Sequence, residues 1–476
     1  FGERDAFAAL SLDDGATWKN YNLSDSALRS SFVLKDGHDY PGDVFKMVHQ
    51  VEGNMVVAAW ISRYCESGAP LYSWTDEVKT ELLTYYPELD NVIPVDGGTD
   101  LDGYQLYLDD LFGVAGSQKS VDYTLQGFPE VGEIPYGCVW VARGTLEQDL
   151  DDETGAPLFN ETNGEPIYDI NWRASERLTS GRRDPHQISI TSSPGAGFII
   201  SWQEDPDGLR PGKGLGPGEG WSGAIANSKT DIWYTYLDLA HFGDVCTDAP
   251  TEDTDYCTPG TLADLIGTDL FDVKPKAAVP FAMPARITDN NACKGEQKFD
   301  TNFELIDPYC YADFDGSGTA DACATVVSWT NPGGITQDIC VTEDGRTLTG
   351  RTASTRVRWA MKSYDSDGDG APDSAWVLFG SEKMKALGTV GDGGCDPTAD
   401  PDCTVFDIGK NMWYYTFEFD KPALVTQGMM LNSYALSPET GEPFETYTDE
   451  WDNEIYDTEI ARRFNLFVNS PTAAMA

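Results

Sequence analysis

Four stretches of the chain share one hydrophobic pattern: a strand, a tight turn, then a second strand that ends on an aromatic residue. VFKMVHQVEGNMVVAAW ends at Trp60 and HQISITSSPGAGFIISW at Trp202. YADFDGSGTADACATVVSW ends at Trp329 and VRWAMKSYDSDGDGAPDSAWVLF at Phe379. Short runs of β-branched and aromatic residues bounded by Gly, Pro, Asn and Asp specify strands and turns. Three of the stretches are followed by a further matching strand: CVWVARGTL with Trp140, DIWYTYLDL with Trp233 and NMWYYTFEF with Trp413. DICVTEDG around Cys340 fills that place in the remaining unit. Recurrence of this kind predicts an all-β fold, a β-propeller of four-stranded blades formed as a single domain over residues 1–476. The opening DAFAALSLDDG matches a closing strand with its turn, and RRFNLFVNS near the end matches an entering strand. The chain ends are therefore expected inside blades, either pairing to complete one blade or continuing into a longer natural protein.

Two insertions interrupt the repeat, at about 66–136 and 205–228. In the first, Val78, Leu82 and Tyr86 recur at helical spacing, and YQLYLDDLFG from Tyr104 predicts a second short helix. Both are expected to present packing faces rather than cofactor sites. The second insertion contains DGLRPGKGLGPGEGWSG, too rich in Gly and Pro for regular structure and long enough to cover a propeller face or contact a partner.

Charge narrows the partners. The chain carries 79 acidic and 32 basic residues, a formal net charge of −47. A polyanion of this size is repelled by nucleic acid and by anionic membranes, and it suits a soluble exported protein that meets divalent cations. No apolar run is long enough to span a bilayer, so direct membrane insertion is not expected. Ten cysteines include no C-x-x-C pair, which removes zinc-ribbon and thioredoxin readings. Cys246/Cys257 and Cys395/Cys403 bracket short loops and predict local disulfides, while Cys65 and Cys138 bracket the first insertion. Cys293, Cys310, Cys323 and Cys340 cluster around an acidic loop. An even count at loop positions predicts an oxidising compartment. Four histidines without H-E-x-x-H or H-x-H spacing give no transition-metal centre.

The strongest chemical signal is Asp365-Ser-Asp367-Gly-Asp369-Gly-Ala371-Pro-Asp373. Its spacing places carboxylates at positions 1, 3, 5 and 9, a backbone carbonyl at Ala371 and a turn-permitting glycine at position 6. Strand-like sequences flank it, and Trp376 occupies the place where a helical calcium hand carries Glu. A second copy, Asp313-Phe-Asp315-Gly-Ser317-Gly-Thr319-Ala-Asp321, aligns position for position. Carboxylates this close repel one another without a cation. Two calcium sites at hairpin tips are therefore expected, with Asp365, Asp367, Asp369, Ala371 and Asp373 in one and Asp313, Asp315, Ser317, Thr319 and Asp321 in the other.

Three resemblances accompany these residues. Ser11-Leu-Asp13-Asp14-Gly15-Ala-Thr17-Trp18 resembles the Asp-box hairpin of sialidase-like β-propellers, in which the Trp is expected to pack beneath the turn. The two acidic loops resemble the calcium hairpins of integrin-type (FG-GAP) propellers, although the Phe-Gly-Gly-Ala-Pro signature is missing. QEDPDGLRPGKGLGPGEGWSGAIANSKTDIWYTYLDL, CVWVARGTL and NMWYYTFEF resemble bacterial exported choice-of-anchor surface proteins. That resemblance implies a secreted or cell-surface protein with no catalytic assignment. The predicted role is a non-catalytic binding or assembly module whose partner is an extracellular protein, a glycan or another copy of the chain.

Two other classes stand beside it. A carbohydrate-active hydrolase of sialidase type needs an arginine cluster, a Tyr/Glu nucleophile pair and an acid/base Asp. Arg4, Arg63, Arg143, Arg183 and Arg286 fall near predicted strand ends, but no spacing selects a triad and salt bridging in an acidic protein accounts for them more simply. An accessory protein of an extracellular redox or metal-handling system is the other class.

Overall fold

A computed structural model describes residues 3–66, 71–72, 104–105, 117–126, 128–205, 208–209, 230–248, 257–271, 273–288, 353–384 and 410–422, with short strands at 325–330, 336–341, 347–348, 429–430, 446–448, 454–456, 467–470 and 473–475. Regular structure among these residues is β, with two single-turn 3₁₀ segments and no α-helix.

The chain opens with a hairpin, β1 (Phe7–Leu10) against β2 (Lys19–Asn22). Three larger antiparallel meanders follow. The first runs β3 (Val44–Glu52), β4 (Met55–Ser62), β5 (Cys138–Gln148) and β6 (Tyr168–Trp172), with the short strand Glu176–Arg177 also paired to β5. The middle sheet is β7 (Asp184–Ser193), β8 (Gly197–Asp205), β9 (Asp231–Asp238) and β10 (Ala285–Arg286). A three-stranded sheet follows: β11 (Thr325–Thr330), β12 (Thr336–Val341) and β13 (Thr347–Leu348). The last meander is β14 (Ala353–Tyr364), β15 (Ser374–Met384), β16 (Lys410–Glu418) and β17 (Met429–Met430). Near the end, β18 (Phe467–Ser470) and β19 (Ala473–Met475) form another hairpin.

Each of the expected second-to-third strand pairings forms: β4 with β5, β8 with β9, β11 with β12 and β15 with β16. Register corrects one detail. The first strand of each large meander carries a bulge, at Phe45/Val48, His186/Ser189 and Thr355/Arg358. Measured from these bulges, Ser381 and not Phe379 corresponds to Trp60 and Trp202. Trp60 faces Trp140 and Trp202 faces Trp233 across the ladder, whereas Ser381 faces Trp413 and Phe379 faces Tyr415. An extra residue in one strand shifts alignment by an amount that spacing alone does not reveal.

Two further expectations change. Tyr104–Gln105 is a short strand paired with Leu71–Tyr72, not the start of a helix. Residues 75–91, where the other helix is expected, lie outside the described residues. In the turn between β1 and β2, Asp13 accepts from the Thr17 amide at 2.8 Å and the Thr17 hydroxyl at 2.7 Å, and Ser11 accepts from the Gly15 amide at 2.8 Å. Trp18 is not packed beneath it. Its Nε1 donates to the Gly15 carbonyl at 3.1 Å while its side chain stays 60 % exposed.

The sheets stack through their faces. Phe45, Val57, Ala59, Ile61, Val139 and Val141 of the first pack against Ile188, Phe198, Ile200, Trp202, Trp233 and Leu237 of the middle sheet. The opposite face of the middle sheet, with Ile199, Ile232, Tyr234 and Tyr236, packs against Val357, Val377, Phe379, Tyr415 and Phe417. The sheet β11–β13 therefore does not separate the middle and last meanders, although it lies between them in sequence. Two hydroxyls pin the second interface: Tyr234 donates to the Phe419 carbonyl at 2.8 Å and Tyr236 to that of Asp420 at 3.1 Å. Disulfides Cys65–Cys138 and Cys246–Cys257 close the base of the first insertion and a loop after β9. The other six cysteines lie outside the residues whose side chains are described.

Gly195, in the β7–β8 turn, has φ +78°, and a Cβ placed on it would come within 1.8 Å of the Pro372 carbonyl oxygen in the β14–β15 loop. Gly195→Ala combines left-handed strain with a backbone clash, so it should destabilise the fold by more than about 1 kcal/mol. A lower urea midpoint is the expected result. A wild-type midpoint would show that the loop does not rest on this turn.

Candidate metal loop and the buried charge network

The loop joining β14 to β15 holds the acidic motif at its tip. Gly368 and Gly370 take φ values of +84° and +97°, which turn their amides inward. The two Asp365 oxygens accept from the Gly368 amide at 2.6 Å and the Gly370 amide at 2.7 Å. Asp369 accepts from the Ala371 amide at 2.7 Å, and Asp367 from the Asp369 amide at 3.0 Å. This folding gathers Asp365, Asp367 and Asp369, one carboxylate oxygen from each lying within 4.8 Å of the others, all exposed. Asp373 is held apart from them. Its oxygens accept from the Ser366 amide at 2.8 Å and the Ser366 hydroxyl at 2.7 Å. The Gly370 and Gly368 amides hold the Asp365 carboxyl below its usual range, and Ser366 does the same for Asp373. Both thus stay ionised into mildly acidic solution, the state a hard cation requires. The second motif, Asp313, Asp315, Ser317, Thr319 and Asp321, lies outside the described residues.

Four of the five arginines singled out in the sequence engage carboxylates. Arg4 forks onto Asp43 at 2.7 and 3.0 Å, and Arg143 onto Glu176 at 2.9 Å through both arms. Arg63, 3 % exposed, reaches from the end of β4 to Asp184 in the middle sheet at 2.7 Å. Asp184 also accepts from the Gly137 amide at 3.0 Å, and Arg63 donates to the Pro135 carbonyl at 2.8 Å. Arg286 stands 3.8 Å from Asp231, which accepts the Thr288 hydroxyl at 2.8 Å. The Arg63–Asp184 pair is buried on both sides, so removing one partner would leave an uncompensated charge.

Around Arg63 and Asp184 lies a polar network that sequence reading missed. The strand β8 continues beyond Trp202 through Gln203, Glu204 and Asp205, all fully buried, so Asp205 is ladder and not the first loop residue. Asp184 faces Asp205 and Glu204 faces Asp231 across the sheet. The Trp202 indole donates to Glu204 Oε1 at 2.9 Å, while Oε2 makes no hydrogen bond. Burial pushes the Glu204 carboxyl up to about 8, and Asp231 and Asp184 add to the rise while Arg183 and the Trp202 bond oppose it. Burial also drives His186 down to about 4. The available signal was register: DIWYTYL begins on an acid, so a hairpin placing Trp233 opposite Trp202 must also bring Asp231 to Glu204.

Comparison of the chain with protein families, with curated proteins and with solved structures gives no match.

The network carries a pH signature. Unfolded, Glu204 ionises near 4.5, and in the fold only near about 8. Between those values the native state keeps a proton that the unfolded chain has lost, so stability falls as pH rises. His186 acts in the opposite sense, its contribution growing from about 4 and complete above 6.5. The two offset each other at lower pH, and between about 6.5 and 8 the Glu204 slope stands alone of the pair. Glu204→Gln should flatten that decline when unfolding free energy is measured across the window. An unchanged slope would mean that the carboxyl is already ionised in the fold.

Proposed function

We propose that this protein is an exported, calcium-stabilised β-propeller of sialidase-like type that works as a non-catalytic binding or assembly module at the cell surface or outside the cell. One observation carries the reading. Three carboxylates converge at a hairpin tip whose neighbouring residue, Pro372, is seated on the turn of the adjacent sheet. A cation there removes mutual repulsion among Asp365, Asp367 and Asp369 and fixes the tip against its neighbour. Its task is structural: no switching helix pair flanks the loop, only β14 and β15.

The surrounding features fit the same reading. Antiparallel meanders that pack face to face, with β3, β7 and β14 side by side, are what successive propeller blades require. Two disulfides are compatible with an extracellular protein. Among the described residues no helix is long and apolar enough to cross a membrane. Arg4, Arg63, Arg143 and Arg286 are engaged by internal carboxylates, which favours a structural use of these residues over recognition of an acidic sugar. The partner that fits is an extracellular protein or glycan, met through the loops at the sheet ends.

Calcium titration tests the metal. At a free calcium concentration 100 times Kd, a site that exists only in the fold adds about 2.7 kcal/mol of stability. A chelator should therefore lower Tm, calcium should restore it, and Asp367→Asn combined with Asp369→Asn should abolish the calcium response. A Tm indifferent to both chelator and calcium would sink the proposal.

A further inference from the structure

The two terminal hairpins have complementary shortages. The β1–β2 hairpin lies on the outer face of the first sheet, where Ala6, Ala8, Tyr21 and Leu23 cover Trp60, Trp140 and Trp172. Its placement is specific. The Tyr21 ring lies 6.1 Å from that of Trp172, and Lys19 and Tyr21 both bond Asp169, so β2 overlies β6, the fourth strand of the sheet beneath. Thus β1–β2 fills the third and fourth places of a sheet, and the places above β3 and β4 belong to strands that β1–β2 does not supply. A groove of about 440 Å³ runs there, lined by residues 3–7 and 44–47. Beyond it on the same face of β3, His49 is exposed and Val51 is 54 % exposed.

The edge of β1 is suited to another strand. The Leu23 amide donates to the Ala6 carbonyl at 2.7 Å, which sets the alternation of the ladder. Phe7 and Ala9 accordingly turn their backbone groups to the side away from β2. Among the described residues β1 pairs with β2 alone.

The opposite shortage occurs at the other end. The first strands β3, β7 and β14 stand side by side, and β18 takes the next place, beside β14. The sequence joining β18 to β19, Ser470-Pro-Thr-Ala473, is similar to the one joining β7 to β8, Ser193-Pro-Gly-Ala196. The hairpin β18–β19 thus has the position and the sequence of a first and second strand, and among the described residues it pairs with no further strand.

We propose that the β1 edge is a strand-acceptor site whose occupant is the β18–β19 hairpin of the same chain, completing one sheet in the order β18–β19–β1–β2. Tethering favours the same chain over a second copy, because a hairpin on the same chain meets the edge without a bimolecular encounter. Main-chain bonds to Phe7 and Ala9 supply the adhesion, and the hairpin covers the flank of β3. The inference rests on the propeller reading, of which it is the closing step.

Cysteine pairs test it: Ala9→Cys combined in turn with Ala473→Cys, Ala474→Cys or Met475→Cys, in the full chain under mild oxidation. At least one pair should give an oxidised monomer with an intramolecular β1–β19 linkage identified by peptide mass spectrometry. Hydrogen exchange on the otherwise unaltered protein provides the second arm. Peptides spanning β1 should be protected, and Val468→Pro should release that protection. Crosslinks between molecules would overturn same-chain closure while leaving the blades themselves in place. No crosslink together with an unprotected β1 would overturn both the acceptor site and the closed ring.

Discussion

The middle sheet is covered on both faces, and most other features follow from that constraint. Every residue of β8 is buried, and all but the last of β9. Phe198, Ile200 and Trp202 point to the first sheet, while Ile199 points to the last. Each large apolar side chain removed from water here contributes about 1.5–3 kcal/mol. A strand in this position has no solvent face on which to discharge polar residues. Gln203, Glu204, Asp205 and Asp231 consequently end up indoors at one end of the sheet, where they need partners. Arg63 and Arg286 meet that need for Asp184 and Asp231, and for Glu204 burial raises the pKa to about 8, which favours the neutral carboxyl.

The acidic hairpin is tied to this same stack. Its flanking strands supply Val377 and Phe379 to the interface with the middle sheet, and its Pro372 rests on Gly195. A cation at Asp365, Asp367 and Asp369 would therefore act on more than nine loop residues. It would relieve carboxylate repulsion at the point where two sheets meet, so loop order and sheet packing rise together. Such an ion would act as a stabilising one, because β14 and β15 pack against the middle sheet.

Strand identity and pairing were legible in the sequence because apolar runs such as VVAAW, FIISW and WVLF are too short for helices and are bounded by turn residues. The acidic tip was legible because ligand spacing is local. What escaped was everything set by register or by long-range covering. The bulges at Phe45/Val48, His186/Ser189 and Thr355/Arg358 made Phe379 look like the counterpart of Trp60, when Ser381 holds that place. Glu204 and Asp205 read as the start of a loop because polarity after FIISW signals exposure only when one end of the sheet is open. The direct contact between the middle and last meanders was also hidden, since sequence order places β11–β13 between them.

Charge distribution connects these levels. The chain carries 79 acidic residues against 32 basic ones, and arginines are drawn into the interior alongside buried carboxylates. Arg63, Arg143 and Arg173 are all buried. Arg143 is paired with Glu176, and Arg173 donates to Thr145 and to the Gly243 carbonyl instead of a carboxylate, which is consistent with burial lowering its pKa to about 10. Cations from the chain thus meet carboxylates of the interior, whereas a cation at the exposed carboxylates of Asp365, Asp367 and Asp369 would come from solution. An acidic surface concentrates divalent ions within roughly a Debye length, about 8 Å at physiological salt. The same field would favour a cation at a hairpin whose carboxylates are exposed.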